Sequence, residues 1–114
     1  MPPREWKLRV TDILEAVAKI KDYTADMDAD VFGSDPKTID AVIRNFTIIG
    51  EAATHVPTQI TEAYPQIPWR KMRDMRNVAV HTYFGVKKHI IWDAIQDDLP
   101  PLVPLLEELL SDHS

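Results

Sequence analysis

The stretch at positions 35–57, DPKTIDAVIRNFTIIGEAATHVP, decides the fold class of this chain. Its apolar side chains recur every three or four residues, the spacing that places them on one face of an α-helix. They are Ile39, Val42, Ile43, Phe46, Ile49 and Ala53. Asp35 is of the residue type that caps a helix N-terminus, and Pro36 suits the first helical position. We predict a helix from Pro36 to about His55, ending before Pro57.

Helical patterns flank this stretch on both sides. We predict further helices at 4–23, 58–64, 68–84, 88–96 and 99–110, and a loop with a short turn at 25–35. Gly85 is the expected C-terminal cap of the helix before it. The expected core positions of the first and last helices are Leu8, Ile13, Leu14, Val17, Ile20, Leu102, Leu105, Leu106 and Leu109. No strand-like alternation appears, so we expect an all-α bundle of four main helices and one or two short ones, forming a single domain over 1–114.

Composition places the chain among soluble globular proteins. It has 114 residues, 45% of them hydrophobic, and no cysteine, which excludes disulfides and thiolate metal sites. No run of 18 apolar residues suggests a membrane span, and the N-terminus lacks the apolar core of a signal peptide. We therefore expect a cytoplasmic protein with no membrane partner.

Positive charge is concentrated in one segment of an acidic chain. The net charge is −5, but positions 69–88 hold six basic residues against the single acid Asp74, which gives +5 there and −10 elsewhere. Such a strip has the charge to hold a polyanion locally. The alternative is an ordinary solvated helix face.

An Arg-x-x-x-x-His-x-Tyr string, Arg76 to Tyr83, lies near the end of this segment. Arginine binds phosphate oxygens bidentately and stays charged, and histidine moves protons near neutral pH. At about 100° per residue, Arg76 and Tyr83 are nearly eclipsed at the edge of the core face, which also carries Trp69, Met72, Met75 and Ala79. His81 lies about 140° from Arg76 and ends a polar stripe of Arg70, Arg73, Asn77 and His81.

Two arrangements would bring Arg76 and His81 to one phosphate: a distorted helix end, or two copies of the helix lining a cleft in a symmetric dimer. In a metal-free cleavage of RNA, His81 is the general acid or base, and Arg76 neutralises the phosphoryl charge. Asn77 orients the imidazole or the phosphate, and Tyr83 positions the substrate. RNA supplies its own 2′-hydroxyl nucleophile, and no cluster of metal ligands is visible, so no metal or cofactor is expected. The competing structural roles are a core tyrosine and a histidine that complements the helix dipole.

Three stretches give the chain a resemblance to the HepT-like group of the HEPN superfamily. They are Ile48 to Ala53, Pro68-Trp69 followed by Met75 to Gly85, and Trp92-Asp93 followed by Asp98-Leu99-Pro100. Arg-x-x-x-x-His alone is a weak signal, but it is specific with Trp-Arg before it, Tyr-Phe-Gly after it and Ile-Gly-Glu-Ala-Ala upstream. One departure is Val80, where a larger aliphatic residue is typical of the family.

The resemblance implies a HEPN-like bundle of four or five helices that forms a homodimer and cleaves RNA. It implies the toxin of a type VII toxin–antitoxin pair, whose partner is a minimal nucleotidyltransferase antitoxin of the MntA type. In some members that partner transfers AMP to the motif tyrosine, here Tyr83, which places phosphate charge and bulk in the substrate site. Arg76 and His81 are then the catalytic candidates, with Asn77, Tyr83 and Glu51 in support and Arg70 and Arg73 on the RNA. Glu51 beside Arg76 would hold the guanidinium; its alternative is a plain exposed helix acid.

Two other functions compete with this one. The chain is alternatively a non-catalytic subunit of a nucleotidyltransferase complex that binds nucleotide or protein, or a helical adaptor. His55 and His89 are expected at the surface and His113 in a frayed tail. Trp6, Trp69 and Trp92 are expected to anchor the core or a dimer interface, and Trp69 is also close enough to the motif to stack on a base.

Overall fold

The computed structural model describes residues 5–83 and 88–114, and this part of the chain consists of helices and the turns that connect them, with no strand. Its seven helices are α1 Trp6–Thr24, α2 Ala29–Gly33, α3 Pro36–Thr54, α4 Thr58–Ala63, α5 Trp69–Tyr83, α6 Lys88–Asp97 and α7 Leu102–Asp112. The all-α prediction is therefore confirmed for the described residues. Arg4, Phe84 and the predicted cap Gly85 lie outside them. No helix among them is both long enough and apolar enough to cross a bilayer.

Helix α3 lies at the centre of the bundle. It packs along α1 on one side and along α5 on the other, while α7 packs on α1 and α6 packs on α2 and α5. The side chains of Val42, Phe46 and Ile49 are fully buried along α3. Burying one large apolar side chain contributes about 1.5–3 kcal/mol. The helix that the sequence marks most clearly is thus the one that holds α1 and α5 in place.

Helix α3 begins where its sequence predicts. The Asp35 carboxylate accepts hydrogen bonds from the Thr38 backbone N–H at 3.1 Å and from the Thr38 hydroxyl at 2.9 Å, and Pro36 follows at the first helical position. The bond from the Thr38 N–H is the main cause that holds the pKa of Asp35 below its ordinary value. The cap therefore works with an ionised carboxylate.

The loop predicted at 25–35 contains a helix, α2, so the predicted helix count was too low. Asp28 caps α2 by accepting a hydrogen bond from the Val31 N–H at 2.9 Å. Phe32 is buried, with its ring centroid 5.3 Å from that of Trp92. This long-range contact helps to hold a segment that is too short for helical periodicity to reveal.

One predicted core residue and one predicted helix start need correction. Leu8 is 45% exposed, because five residues of helix place it about 140° from Ile13, and Val10 is buried in its stead. Helix α7 begins at Leu102 and not at 99, because Pro100 disfavours the α conformation at Leu99. Leu102 instead closes a turn through its N–H to the Leu99 carbonyl at 3.0 Å.

The prediction that His113 lies in a frayed tail is wrong, because several contacts hold the C-terminal residues in place. The Tyr64 hydroxyl donates to Asp112 Oδ2 at 2.9 Å and lies 3.3 Å from His113 Nε2. The His113 ring also meets Trp6 edge to face at 5.1 Å, and Lys7 Nζ donates to the His113 carbonyl at 2.7 Å. We call Trp6, Tyr64, Asp112 and His113 the C-terminal clasp. The hydrogen bond to Asp112 raises the pKa of Tyr64.

The three tryptophans differ in how deeply they are buried. Trp69 is buried at the start of α5, and its Nε1–H donates to the Tyr64 carbonyl at 3.1 Å. Trp6 and Trp92 are half-buried against the core. A ring buried in this way has no free face for a base, so the suggestion that Trp69 stacks on RNA is wrong.

Candidate active site

Gly50 sets how closely α5 approaches α3. A Cβ atom at position 50 would overlap the Arg76 Cγ and would lie 2.9 Å from the Arg76 backbone nitrogen. Glycine inside a helix costs about 1 kcal/mol relative to alanine. The close contact of α5 gives a structural reason for glycine here. Gly50 belongs to the predicted Ile-Gly-Glu-Ala-Ala motif without a predicted role of its own, although an interior helical glycine is itself a signal of close packing.

The next residue of α3, Glu51, meets Arg76 across the helix crossing. Glu51 Oε2 lies 2.9 Å from Arg76 Nη1, and the two side chains are 47% and 50% exposed. The structure thus brings together the acid and the arginine that were predicted to share one site. An ion pair this exposed stabilises a protein by only about 0.2–1 kcal/mol. Its significance lies in geometry: the carboxylate occupies one edge of the guanidinium and half of the arginine side chain stays accessible.

His55, one turn along α3, contacts the same carboxylate. Its Nδ1 lies 2.9 Å from the Glu51 carbonyl oxygen and 3.6 Å from Glu51 Oε1. We call Glu51, His55 and Arg76 the Glu51 cluster. His55 is exposed, as predicted, but its contact with Glu51 was not predicted. The spacing of four residues along one helix was the available signal.

The predicted polar stripe of α5 faces solvent. Arg70, Arg73, Asn77 and His81 are all exposed, whereas the core face of the same helix buries Trp69, Met72, Met75 and Ala79. Lys71 lies outside the stripe and pairs with Asp98 at 3.2 Å. The two arginines, the amide and the imidazole thus form one accessible surface, which we call the α5 stripe.

Arg76 and His81 do not meet within one chain. Helix α5 stays α-helical through Tyr83, so His81 lies about 140° from Arg76 around the helix. No hydrogen bond joins the two side chains in the part of the protein that the structure describes. The side chain of Tyr83 lies outside that part, so its predicted contacts stay a prediction.

The cavity between α5 and α6 is not suited to bind RNA. It has a volume of about 300 Å³ and lies on the side of α5 that carries Lys71, Asp74 and Val78, turned away from Arg76. Four aspartates line it: Asp74, Asp93, Asp97 and Asp98. Their charge would repel a phosphate. Among the residues described, no three histidine or acidic side chains lie close enough together to bind a metal ion.

Comparison with known proteins assigns the chain to a family. The model of a family described as "Ribonuclease HepT-like" matches residues 13–109, a span that contains α3, α5 and the Glu51 cluster. The chain belongs to this HepT-like family.

Two relatives show how far the similarity of this HepT-like chain extends. A Methanocaldococcus jannaschii protein named "Putative RNase MJ0127" is 39% identical over 112 residues, 98% of this chain and 93% of the relative. A Thermococcus cleftensis protein named "Probable ribonuclease HepT" is 39% identical over 106 residues, 93% of this chain and 96% of the relative. No solved structure matches the chain significantly.

Proposed function

We propose that this HepT-like chain is a metal-independent endoribonuclease, active as a homodimer and acting as the toxin of a type VII toxin–antitoxin pair. The observation that carries the proposal is Arg76, held at the crossing of α3 and α5 by Glu51 and adjoining the solvent-facing α5 stripe. Family membership and the names of the relatives support ribonuclease chemistry. RNA in the cytoplasm is the proposed substrate.

The proposed reaction is a transesterification within the RNA. The ribose 2′-hydroxyl attacks the adjacent phosphorus, the bond from phosphorus to the 5′-oxygen breaks, and a 2′,3′-cyclic phosphate remains. We assign His81 to one of the two proton transfers, removal of the 2′-hydroxyl proton or donation of a proton to the departing 5′-oxygen, and solvent water completes the other transfer. Arg76 neutralises the charge that grows on the phosphoryl oxygens. The RNA supplies its own nucleophile, so no metal-bound hydroxide is required.

The remaining residues of the α5 stripe have supporting roles in this proposal. Arg70 and Arg73 lie two turns and one turn before Asn77, respectively, on the same side of α5 and would follow the RNA backbone. Asn77 lies between Arg73 and His81 in the stripe and would orient the imidazole or a phosphate oxygen. Glu51 would keep the guanidinium directed toward the substrate.

A second copy of the chain would bring Arg76 and His81 to the same phosphate. On a single α5 helix the two side chains are separated by about 140° around the axis. One phosphate group is too small to contact both of them. Two α5 helices facing each other across a two-fold axis would place the arginine of one copy near the histidine of the other. Mixing Arg76→Ala and His81→Ala proteins tests this arrangement, since a cleft of this kind regains activity in the heterodimer.

Control of the toxin would act at the same helix. Tyr83 follows Arg76 by seven residues, about 10.5 Å along the axis and nearly eclipsed with it. AMP on the Tyr83 hydroxyl, transferred by an MntA-type nucleotidyltransferase partner, would bring a phosphate charge close to the guanidinium and compete with the RNA phosphate. The intact mass of the chain co-expressed with its neighbouring gene product, compared with that of Tyr83→Phe, tests this part of the proposal.

Cleavage of a labelled RNA oligonucleotide in EDTA tests the enzymatic part. We expect cyclic phosphate ends from the wild-type chain, no product from Arg76→Ala or His81→Ala, and no cleavage of a strand with 2′-deoxyribose throughout. Lys71→Ala removes a cation from another side of α5 and serves as the matched control that keeps activity. Wild-type protein that binds RNA without cutting it would favour the alternative function, a non-catalytic nucleotide- or protein-binding subunit of a nucleotidyltransferase complex.

A further inference from the structure

His55 is fixed in one orientation by its own helix. Its Nδ1 lies 2.9 Å from the Glu51 carbonyl oxygen, a distance and partner that require the proton to be on Nδ1. The Thr54 hydroxyl donates to the same carbonyl at 2.7 Å and lies 3.2 Å from Nδ1. The side chains of Thr54 and His55 thus both contact the Glu51 carbonyl oxygen at the C-terminal end of α3. The imidazole cannot rotate away without losing these contacts.

The fixed imidazole lies against the carboxylate that holds Arg76. Nδ1 is 3.6 Å from Glu51 Oε1, while Oε2 of the same carboxylate lies 2.9 Å from Arg76 Nη1. A glutamate that is 47% exposed has rotamers open to it, and an exposed pair with arginine is too weak to select one of them. A rigid ring on the opposite side of the carboxylate removes some of these rotamers.

We propose that His55 is a positioning residue of the Arg76 site, which acts through Glu51 and not on the RNA. It restricts the Glu51 carboxylate to the rotamer that presents Oε2 to Arg76, and Arg76 is thereby held before substrate arrives. Preorganised charge lowers a barrier because no reorganisation remains to be done during the reaction. The catalytic consequence rests on the proposed function, whereas the positioning of Arg76 can be observed without RNA.

Nitrogen NMR of the arginine guanidinium groups observes that positioning directly. Arg76→Lys assigns the signals, and the exposed Arg70 and Arg73 of the same helix provide references. In the wild-type chain we expect slower rotation and exchange of the Arg76 Nη groups than of the references, with this difference lost in Glu51→Gln and reduced in His55→Ala. His55→Asn keeps an N–H donor close to the position of Nδ1 and should restore the wild-type signals. His89→Ala removes another exposed histidine and should change nothing.

Cleavage kinetics on the same variants supply the second readout. His55→Ala is expected to lower kcat about tenfold with little change in KM, since a misplaced charge affects the transition state most. His55→Asn should recover most of the rate, which a purely chemical role of the imidazole would not allow. The proposal is overturned if Arg76 signals are unchanged in His55→Ala, or if wild-type Arg76 exchanges like Arg70 and Arg73. A wild-type chain that cleaves no RNA would refute the proposed function and leave the NMR result to decide the role of His55.

Discussion

The Glu51 cluster and the C-terminal clasp are both built around a histidine, and they differ in what they bring together. The clasp joins α1, the end of α4 and the end of α7 through aromatic edges and one hydrogen bond to a carboxylate. The cluster joins two helices through exposed charges beside a glycine contact. The clasp therefore ties the start of α1 to the ends of α4 and α7, whereas the cluster presents an arginine to solvent. A histidine acquires a structural or a chemical role from its neighbours: His113 is half-buried among aromatic rings, whereas His55 is exposed beside a carboxylate.

The largest effect is expected at Gly50, because a substitution there affects the cluster and the packing together. Gly50→Ala places a Cβ against Arg76 and should destabilise the chain by about 1–3 kcal/mol while abolishing RNA cleavage. Urea unfolding followed by circular dichroism measures the stability. Gly33→Ala is the matched control, since a Cβ there meets nothing within 4 Å. Equal stability of Gly50→Ala and the wild-type chain would mean that α5 does not lie so close to α3.

Replacing each of the two histidines by alanine in turn distinguishes the clasp from the Glu51 cluster most directly. His113→Ala loses the contacts to Trp6 and Tyr64 and should lower the free energy of unfolding by about 1 kcal/mol. Its rate of RNA cleavage at 25 °C should stay within about twofold of wild type, the opposite of the result expected for His55→Ala. Loss of cleavage in folded His113→Ala would show that the clasp and the cluster are coupled.

The pH dependence of stability tests the N-terminal cap of α3, at the end of the helix opposite to the Glu51 cluster. The folded-state pKa of Asp35 is lowered, so its contribution to stability is present above the ordinary value of 3.8 and is lost as the pH falls through the lower folded value. Asp35→Ala should be less stable at pH 7 and should lose less stability on acidification than wild type does. Asp40→Ala, an exposed acid on the same helix, is the control. Parallel acid profiles of wild type and Asp35→Ala would contradict the cap.

The smallest expected effect is on the ionisation of Tyr64 in the C-terminal clasp at alkaline pH. The hydrogen bond to Asp112 raises the folded-state pKa of Tyr64 above 10.0, so its contribution is complete below pH 10.0 and is lost as the pH rises through the folded value. The difference between the ultraviolet titrations of wild type and Tyr64→Phe should give a pKa of Tyr64 above its ordinary value. Asp112→Asn should lower this pKa. A Tyr64 that titrates at its ordinary pKa in the wild-type chain would mean that the clasp is open in solution.

Local pattern was sufficient to predict most of the helices. The predicted start of α3 at Pro36 and the Asp35 cap are confirmed, as are the buried faces carried by Phe46, Ile49, Met72 and Met75. These features depend on residues within one or two turns of each other, which the sequence displays directly. The helix at 29–33 was missed because five residues carry too little periodicity, and its main anchor, Phe32 on Trp92, spans 60 positions.

The sequence alone determined which residue types are available: an arginine, a histidine and a glutamate, each on a helical face fixed by the 3.6-residue period. Tertiary structure decided which of them meet. Glu51 and Arg76 are 25 positions apart and touch only because Gly50 lets α5 lie against α3. His55 joins them because its own turn of α3 directs it toward the same carboxylate, while His81 on α5 points elsewhere. Such contacts depend on how two helices cross, and the periodicity of one helix contains no information about the position of its neighbour.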